Sequence, residues 1–396
     1  MIAPAPHSAP FGVYIHVPYC ARICPYCDFN VYARHQNEHG DYVDSLLAEI
    51  DLVAGHQHHR EIATIFIGGG TPSLLPSDDI GRMLDRLSSH FSIAHDAEIT
   101  MEANPEGLEA DYLRNLRSSG INRLSIGIQT HQAHGLKVLG RAHKPETPIR
   151  GIAAARDAGF DNLSLDFIFG WPGQTDEDWS QDLDTILEIN PEHASMYSLI
   201  IEPNTPYQTA VDRGILVPVD DDRVSAMYES TLDRMAAAGW DHYEISNWAR
   251  TPEYRSHHNL IYWRNAEYIA LGPGAHGHLN GERYSNIRFP AHYMKSIEAG
   301  ELPIAETEPI DQTTAIAETM MLGLRLTTDG VSAPAFEQRH GLAMESIYGE
   351  TIEFLQSINM LEWHGDSLRL TRAGLLIANE VAERFLDPVL PHQPSF

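Results

Sequence analysis

The chain has 396 residues, too many for one small domain and enough for a barrel-sized domain with a smaller partner. Against 55 Asp and Glu stand only 27 Lys and Arg, so the formal net charge is −28. That balance argues against a nucleic-acid partner, because phosphate binding needs a basic face.

The chain opens on residues 1–12, which carry neither the charged nor the apolar region of a signal peptide, so a cytoplasmic location is expected. No apolar run is long enough to span a bilayer, which leaves peripheral membrane contact open. Apolar, β-branched runs then recur at 12–17, 64–69, 98–103, 123–128, 162–170 and 194–201, with polar, helix-favouring stretches between them. Strands alternating with helices predict a parallel sheet with right-handed crossovers. Six such units predict an α/β fold, a partial (β/α)6 TIM-like barrel, with a doubly wound sheet as the rival that periodicity does not separate. Polar residues cluster just after the strands, where a parallel barrel builds its site.

From about 205 the rhythm loosens. A helix is expected over 220–238, followed by HYEISNWAR at 242–250, HHNLIYW at 257–263 and the glycine loop at 271–281. Further on, 313–326 and 344–360 read as helices, and 361–374 as two short strands around a Gly365-Asp366 turn. That combination resembles a winged helix, although Glu350, Glu353, Glu362 and Asp366 make it too acidic to expect DNA binding. The expected domains are 1–240 for the barrel, 241–305 for an extension, and 306–396 for the mostly helical C-terminal part.

All three cysteines, Cys20, Cys24 and Cys27, fall in one C-x3-C-x2-C run directly after the first strand. An odd number cannot all pair as disulfides. Thiolates are soft ligands suited to iron–sulfur clusters or zinc. A cubane cluster normally takes four thiolates, so three would leave one iron open to a small molecule. The alternative is a Cys3His zinc site completed by His16.

This motif and its position resemble the radical S-adenosylmethionine superfamily. The resemblance implies a [4Fe–4S] cluster whose open iron chelates S-adenosylmethionine through its amino and carboxylate groups, for reductive cleavage to a 5′-deoxyadenosyl radical. GGGTPS at 68–73 is similar to the family's glycine motif, and implicates Gly69, Gly70 and Thr71. Glu102, Gln129, Arg141 and Asp166 stand in the segments MEANPE, SIGIQT, LGRAH and LDFIFG, and the resemblance implies that they share one cofactor pocket. Tyr14 and Tyr26 flank the cluster loop and are expected in contact with it.

Within the superfamily the sequence resembles the oxygen-independent coproporphyrinogen III oxidase-like group. The oxidase branch carries a further cysteine two residues after the third, where this chain has Phe29, and a longer segment before the cluster loop. Both features are similar to HemW-type haem chaperones instead, as is HNLIYW at 258–263, which resembles the HNxxYW motif that the group associates with haem. The resemblance implies haem as cargo, haem-accepting proteins such as respiratory ones as partners, and an electron donor for the cluster. It makes His258 the candidate axial ligand, with Asn259, Tyr262 and Trp263 beside the porphyrin and His276 and His278 as the next candidates. Read as residues alone, the same segment equally packs a barrel edge. The alternative function is an oxygen-independent coproporphyrinogen III dehydrogenase. The histidines of 56–60 are expected at a solvated helix end.

Overall fold

The computed structural model describes residues 10–33, 35–55 and 60–389. The leader reading of the first residues and most of the histidine-rich 56–60 stretch lie outside them. Six strands carry the fold: β1 (Phe11–Val17), β2 (Ile62–Gly69), β3 (Ile93–Ala103), β4 (Arg123–Gln129), β5 (Leu163–Phe169) and β6 (His193–Ser198). They pair in parallel and in chain order. Strands added always to the same side wind as a barrel does, whereas a doubly wound sheet reverses at a switch point. The rival reading is thereby removed.

Helices cross between the strands: α1 (His39–Ala54), α2 (Ser77–His90), α3 (Ala110–Ser118), α4 (Ala133–Val138) with α5 (Glu146–Asp157), and α6 (Asp176–Ile189). The sequence TDED starts α6 with a reciprocal capping pair, since Thr175 accepts from the Asp178 amide and Asp178 accepts from the Thr175 amide. Ile65, Ile67, Met101, Leu124, Ile126 and Leu165 lie fully buried in the main hydrophobic core, which also takes in α1 through Leu46 and Ile50. Such strands are buried on both faces, as parallel strands under helices are.

Beyond α7 (Pro206–Asp212) and α8 (Asp221–Ala237), the chain extends the same sheet at both edges. A hairpin of β7 (Asp241–Glu244) and β8 (Asn247–Ala249) adds antiparallel to β6. After α9 (His257–Trp263), β9 (Tyr268–Leu271) pairs parallel with β1 on the other side. It is followed by antiparallel β10 (His276–Leu279), β11 (Glu282–Asn286) and, past α10 (Pro290–Glu298), β12 (Ile304–Pro309). The sheet runs from β12 to β7 without closing.

The C-terminal part is α11 (Gln312–Gly323), β13 (Val331–Ser332), α12 (Ala333–His340), α13 (Met344–Ser357), β14 (Leu361–His364) and β15 (Ser367–Leu370). Its three strands form a separate sheet over a second core containing Met320, Phe336, Tyr348 and Leu368. This is winged-helix topology, with a two-residue strand, β13, that was too short to show in the sequence pattern. Among the described residues no helix is long and apolar enough to cross a membrane.

Candidate functional site

The three cysteines sit half-buried on the loop after β1. That loop is clamped at its base. Tyr19–Cys20 pairs with Tyr32–Ala33, the Gly70 amide donates to the Val17 carbonyl at 2.7 Å, and the Thr71 amide donates to the Tyr19 carbonyl at 2.8 Å. Such contacts need glycine. Gly69 has φ +106°, and a Cβ on Gly70 would stand 2.5 Å from the Tyr19 carbonyl oxygen. Gly70 is therefore required by the approach of the cysteine loop to the end of β2, whereas a Cβ on Gly69 would meet the His16 ring and one on Gly68 the side chains of Phe66 and Glu102.

Donors aim at the sulfurs. Thr71 Oγ1 lies 3.5 Å from Cys20 Sγ, and Arg141 Nη1 lies 3.7 Å from Cys24 Sγ. The Arg141 guanidinium is fixed in turn by the Gly127 carbonyl and the Asn104 side chain. Burial pushes the Cys27 thiol up to about 11 against a bond from the Phe29 backbone, and burial likewise raises Cys20. Thiols so placed keep their protons unless a metal replaces them. His16 does not complete a zinc site. Its Nδ1 bonds the Tyr14 hydroxyl and its Nε2 the Asn30 carbonyl, each at 2.9 Å. Among the described residues, no three His, Cys, Asp or Glu side chains are grouped to hold a single metal ion.

The cysteine loop roofs a cavity of about 790 Å³ inside the barrel. Most of the residues singled out for cluster, cofactor or haem line it: Tyr14, Tyr26, Gly69, Gly70, Thr71, Glu102, Gln129, Arg141, Asp166 and His258 join Cys20, Cys24 and Cys27. Glu102 and Asp166 are inward-facing residues within β3 and β5, not residues past the strand ends. Glu102 accepts from the Gly69 amide at 2.9 Å, and burial, then the nearby Asp166, pushes its carboxyl up to about 8. Asp166 accepts from Ser125 and Ser164, and burial raises it too. Gln129 ends β4 with φ +69°.

α9 packs against β1 and β2. His258 is fully buried, with Nδ1 2.7 Å from Thr64 Oγ1 and Nε2 2.8 Å from the Tyr262 hydroxyl. Its ring stacks on Phe66 at 5.2 Å. Burial, then the charge of Arg123, lowers its pKa to about 3, so it is neutral. Asn259 and Tyr262 also line the cavity, but Trp263 points away into a small cluster with Tyr243, Leu260 and Leu326. Neither His276 nor His278 lines the cavity. Sequence reasoning passed over Arg123, Ser125, His193 and Ser195, which line it as well. The signal was present: RLSIGIQ and HASMYS alternate polar with apolar in strands whose apolar face is already covered by helices.

Comparison with known proteins agrees with this geometry. The model of the Radical SAM superfamily matches residues 14–186, and that of the HemN C-terminal domain matches 310–377. Heme chaperone HemW of Bacillus subtilis is 36% identical over 95% of this chain and 99% of its own length. Heme chaperone HemW of Escherichia coli is 37% identical over 95% and 98%. The chain belongs to the HemW family of radical SAM proteins. A solved structure of Escherichia coli coproporphyrinogen III oxidase (HemN) covers 96% of the chain with TM-score 0.82 at 21% identity, so the two share a fold. Membership of the superfamily implies a [4Fe–4S] cluster and S-adenosylmethionine. The residues present fit both: three thiols with donors on their sulfurs, and below them a cavity into whose wall Glu102 and Asp166 set buried carboxyl groups.

Proposed function

We propose that this protein is a haem chaperone that holds a [4Fe–4S] cluster on Cys20, Cys24 and Cys27, binds S-adenosylmethionine beneath it, and passes haem to acceptor haem proteins, respiratory ones included. The observation that carries this reading is the single cavity in which the cysteine loop, Glu102, Gln129 and Asp166 meet His258, Asn259 and Tyr262 of the HNxxYW segment. The HemW relatives, matched over nearly their whole length, support the cargo.

In this reading the cluster supplies one-electron chemistry when reduced by an external donor. The chain's own residues do the rest. Arg141 sets a fixed positive charge beside Cys24, where a ligand carboxylate would be drawn. Glu102 and Asp166 offer acceptors to amino and hydroxyl groups inside the barrel, and Tyr14 and Tyr26 wall the site. Thr64 and Tyr262 each hold one ring nitrogen of His258, so His258 would hold haem iron only by giving up one of these hydrogen bonds, the Tyr262 bond at Nε2 in this reading.

One sample decides the matter. Anaerobically reconstituted protein should hold about four iron and four sulfide per chain, bind haem with a shifted Soret band, and leave coproporphyrinogen III unconverted. Replacing any one of the three cysteines by Ala should abolish the cluster and leave haem affinity. Stoichiometric zinc without sulfide would remove the cluster. Turnover of coproporphyrinogen III would make the protein the dehydrogenase, a reading the fold shared with HemN favours.

A further inference from the structure

Arg123 is the first residue of β4, and its neighbours on the same inward face are Ser125, Gly127 and Gln129, all lining the cavity. Leu124, Ile126 and Ile128 take the opposite face, into the core. Its side chain is 2% exposed. Among the described residues it has no hydrogen bond and no ion pair, and its Nε is a buried donor without a partner. An arginine cannot shed its charge. A buried guanidinium without a hydrogen-bonded counter-charge is costly, and native interiors rarely keep one without a use.

The acids nearby are engaged elsewhere. Glu98 accepts from the amides of His257 and His258, Asp166 from Ser125 and Ser164, and Glu102 from Gly69. Arg123 acts on Glu102 and Asp166 only through its field, lowering both, as it lowers His193 and His258. His193 is itself tied to Ser164 and the Tyr243 hydroxyl. The planar guanidinium therefore lines the cavity without a hydrogen-bond partner among the described residues.

We infer that Arg123 is a carboxylate receptor at the floor of the cavity, pairing in bidentate fashion with an acid group of the bound ligand. A phosphate fits poorly, because its second negative charge would sit beside Glu102 and Asp166. A singly charged planar carboxylate matches both the fork and the local balance. The inference rests on the proposed function for what enters the cavity. The source that reaches the floor is a porphyrin propionate; the amino-acid carboxylate of S-adenosylmethionine, drawn to Arg141 beside the cysteine loop, is the other source that the test separates.

The test compares each ligand with its carboxylate-free analogue on the anaerobically reconstituted full chain. Haem is paired with haem dimethyl ester by Soret titration, and S-adenosylmethionine with its decarboxylated form by calorimetry. The readout is how the affinity ratio within a pair changes on Arg123→Gln. For the pair whose acid group Arg123 holds, the ratio should fall roughly ten- to hundredfold, the worth of a charge-assisted pair. The other pair should keep its ratio, which identifies the source. Arg123→Lys, which keeps the charge but not the fork, should lose part of the ratio and serves if the Gln protein folds poorly. Ratios unchanged in both pairs overturn the receptor. Failure of the wild-type protein to bind either haem or its ester would instead sink the chaperone reading, and the S-adenosylmethionine pair would still test Arg123.

Discussion

At the scale of single residues, a backbone contact sets the strictest condition on the site. Gly70 lies against two carbonyls where β1 runs into the cysteine loop, with Val17 O 2.9 Å and Tyr19 O 2.5 Å from where a Cβ would be. Backbone cannot swing aside as a side chain can, so Gly70→Ala must lift the loop from β2. We expect a stability loss of about 1–3 kcal/mol and clearly reduced iron after reconstitution. Gly40→Ala, in the first turn of α1 with open space at its Cβ, should be neutral or stabilising by up to about 1 kcal/mol. Equal behaviour of the two variants in melting and iron content would show that the loop tolerates displacement. The cysteines, Glu102 and Asp166 were legible because their types and order are unusual in any strand-and-helix chain. Arg123 was passed over because an arginine opening a strand reads as solvent-facing, although the alternation of RLSIGIQ sets it on the same face as Ser125 and Gln129.

The element that sequence left most open is α9. HNLIYW could be read as packing or as a porphyrin grip, and the helix turns part of it to the cavity and part into packing. His258 and Tyr262, one turn apart, face the cavity, while Trp263 faces Leu326 and lies 4.6 Å under the Arg325 guanidinium. Trp263 owes its direction to residues more than sixty positions away, which no local pattern encodes. The helix is fixed at both ends. Glu98 caps the amides of His257 and His258, and Arg339 donates to the carbonyls of Arg264 and Asn265. A rigid helix makes the competition at His258 testable. Tyr262→Phe removes the hydroxyl from Nε2 and leaves the Thr64 bond, so it should cost about 1 kcal/mol in the ligand-free protein. If His258 ligates iron, the same change should tighten haem binding, because no hydrogen bond has to be given up. His258→Ala should then weaken haem binding and alter the Soret band. Unaltered haem affinity in both variants would leave α9 as packing against the barrel and place haem elsewhere.

Across the whole molecule, the order of β1 to β6 follows from the alternation of strand and helix, but the return of the chain to β1 does not. β9 has only four residues and pairs with a strand more than 250 positions earlier, a juxtaposition invisible to periodicity. One buried carboxyl locks that return. Glu49 of α1 is 1% exposed and accepts from the Gly272 amide at 2.8 Å, Asn286 Nδ2 at 2.7 Å and the Tyr293 hydroxyl at 2.6 Å, thereby joining α1 to the turn after β9, to β11 and to α10. These three donors favour the carboxylate, yet burial outweighs them and pushes Glu49 from 4.5 to about 7. A carboxyl whose pKa is raised on folding binds its proton more tightly in the native state. Its contribution is complete below about pH 4.5 and drains away as the pH rises through about 7. The full span is worth roughly 3 kcal/mol. Glu49→Gln keeps the shape and cannot titrate, so the stability difference between wild type and variant should shift against the wild type between pH 5 and pH 8, by an amount of that order. Glu102 and Asp182, also raised by burial, titrate in both proteins and cancel in the difference. Urea unfolding of both proteins at the two pH values measures it. A difference that stays constant, or moves in favour of the wild type as pH rises, would mean that the three donors hold Glu49 ionised throughout and that the lock is an ionic one.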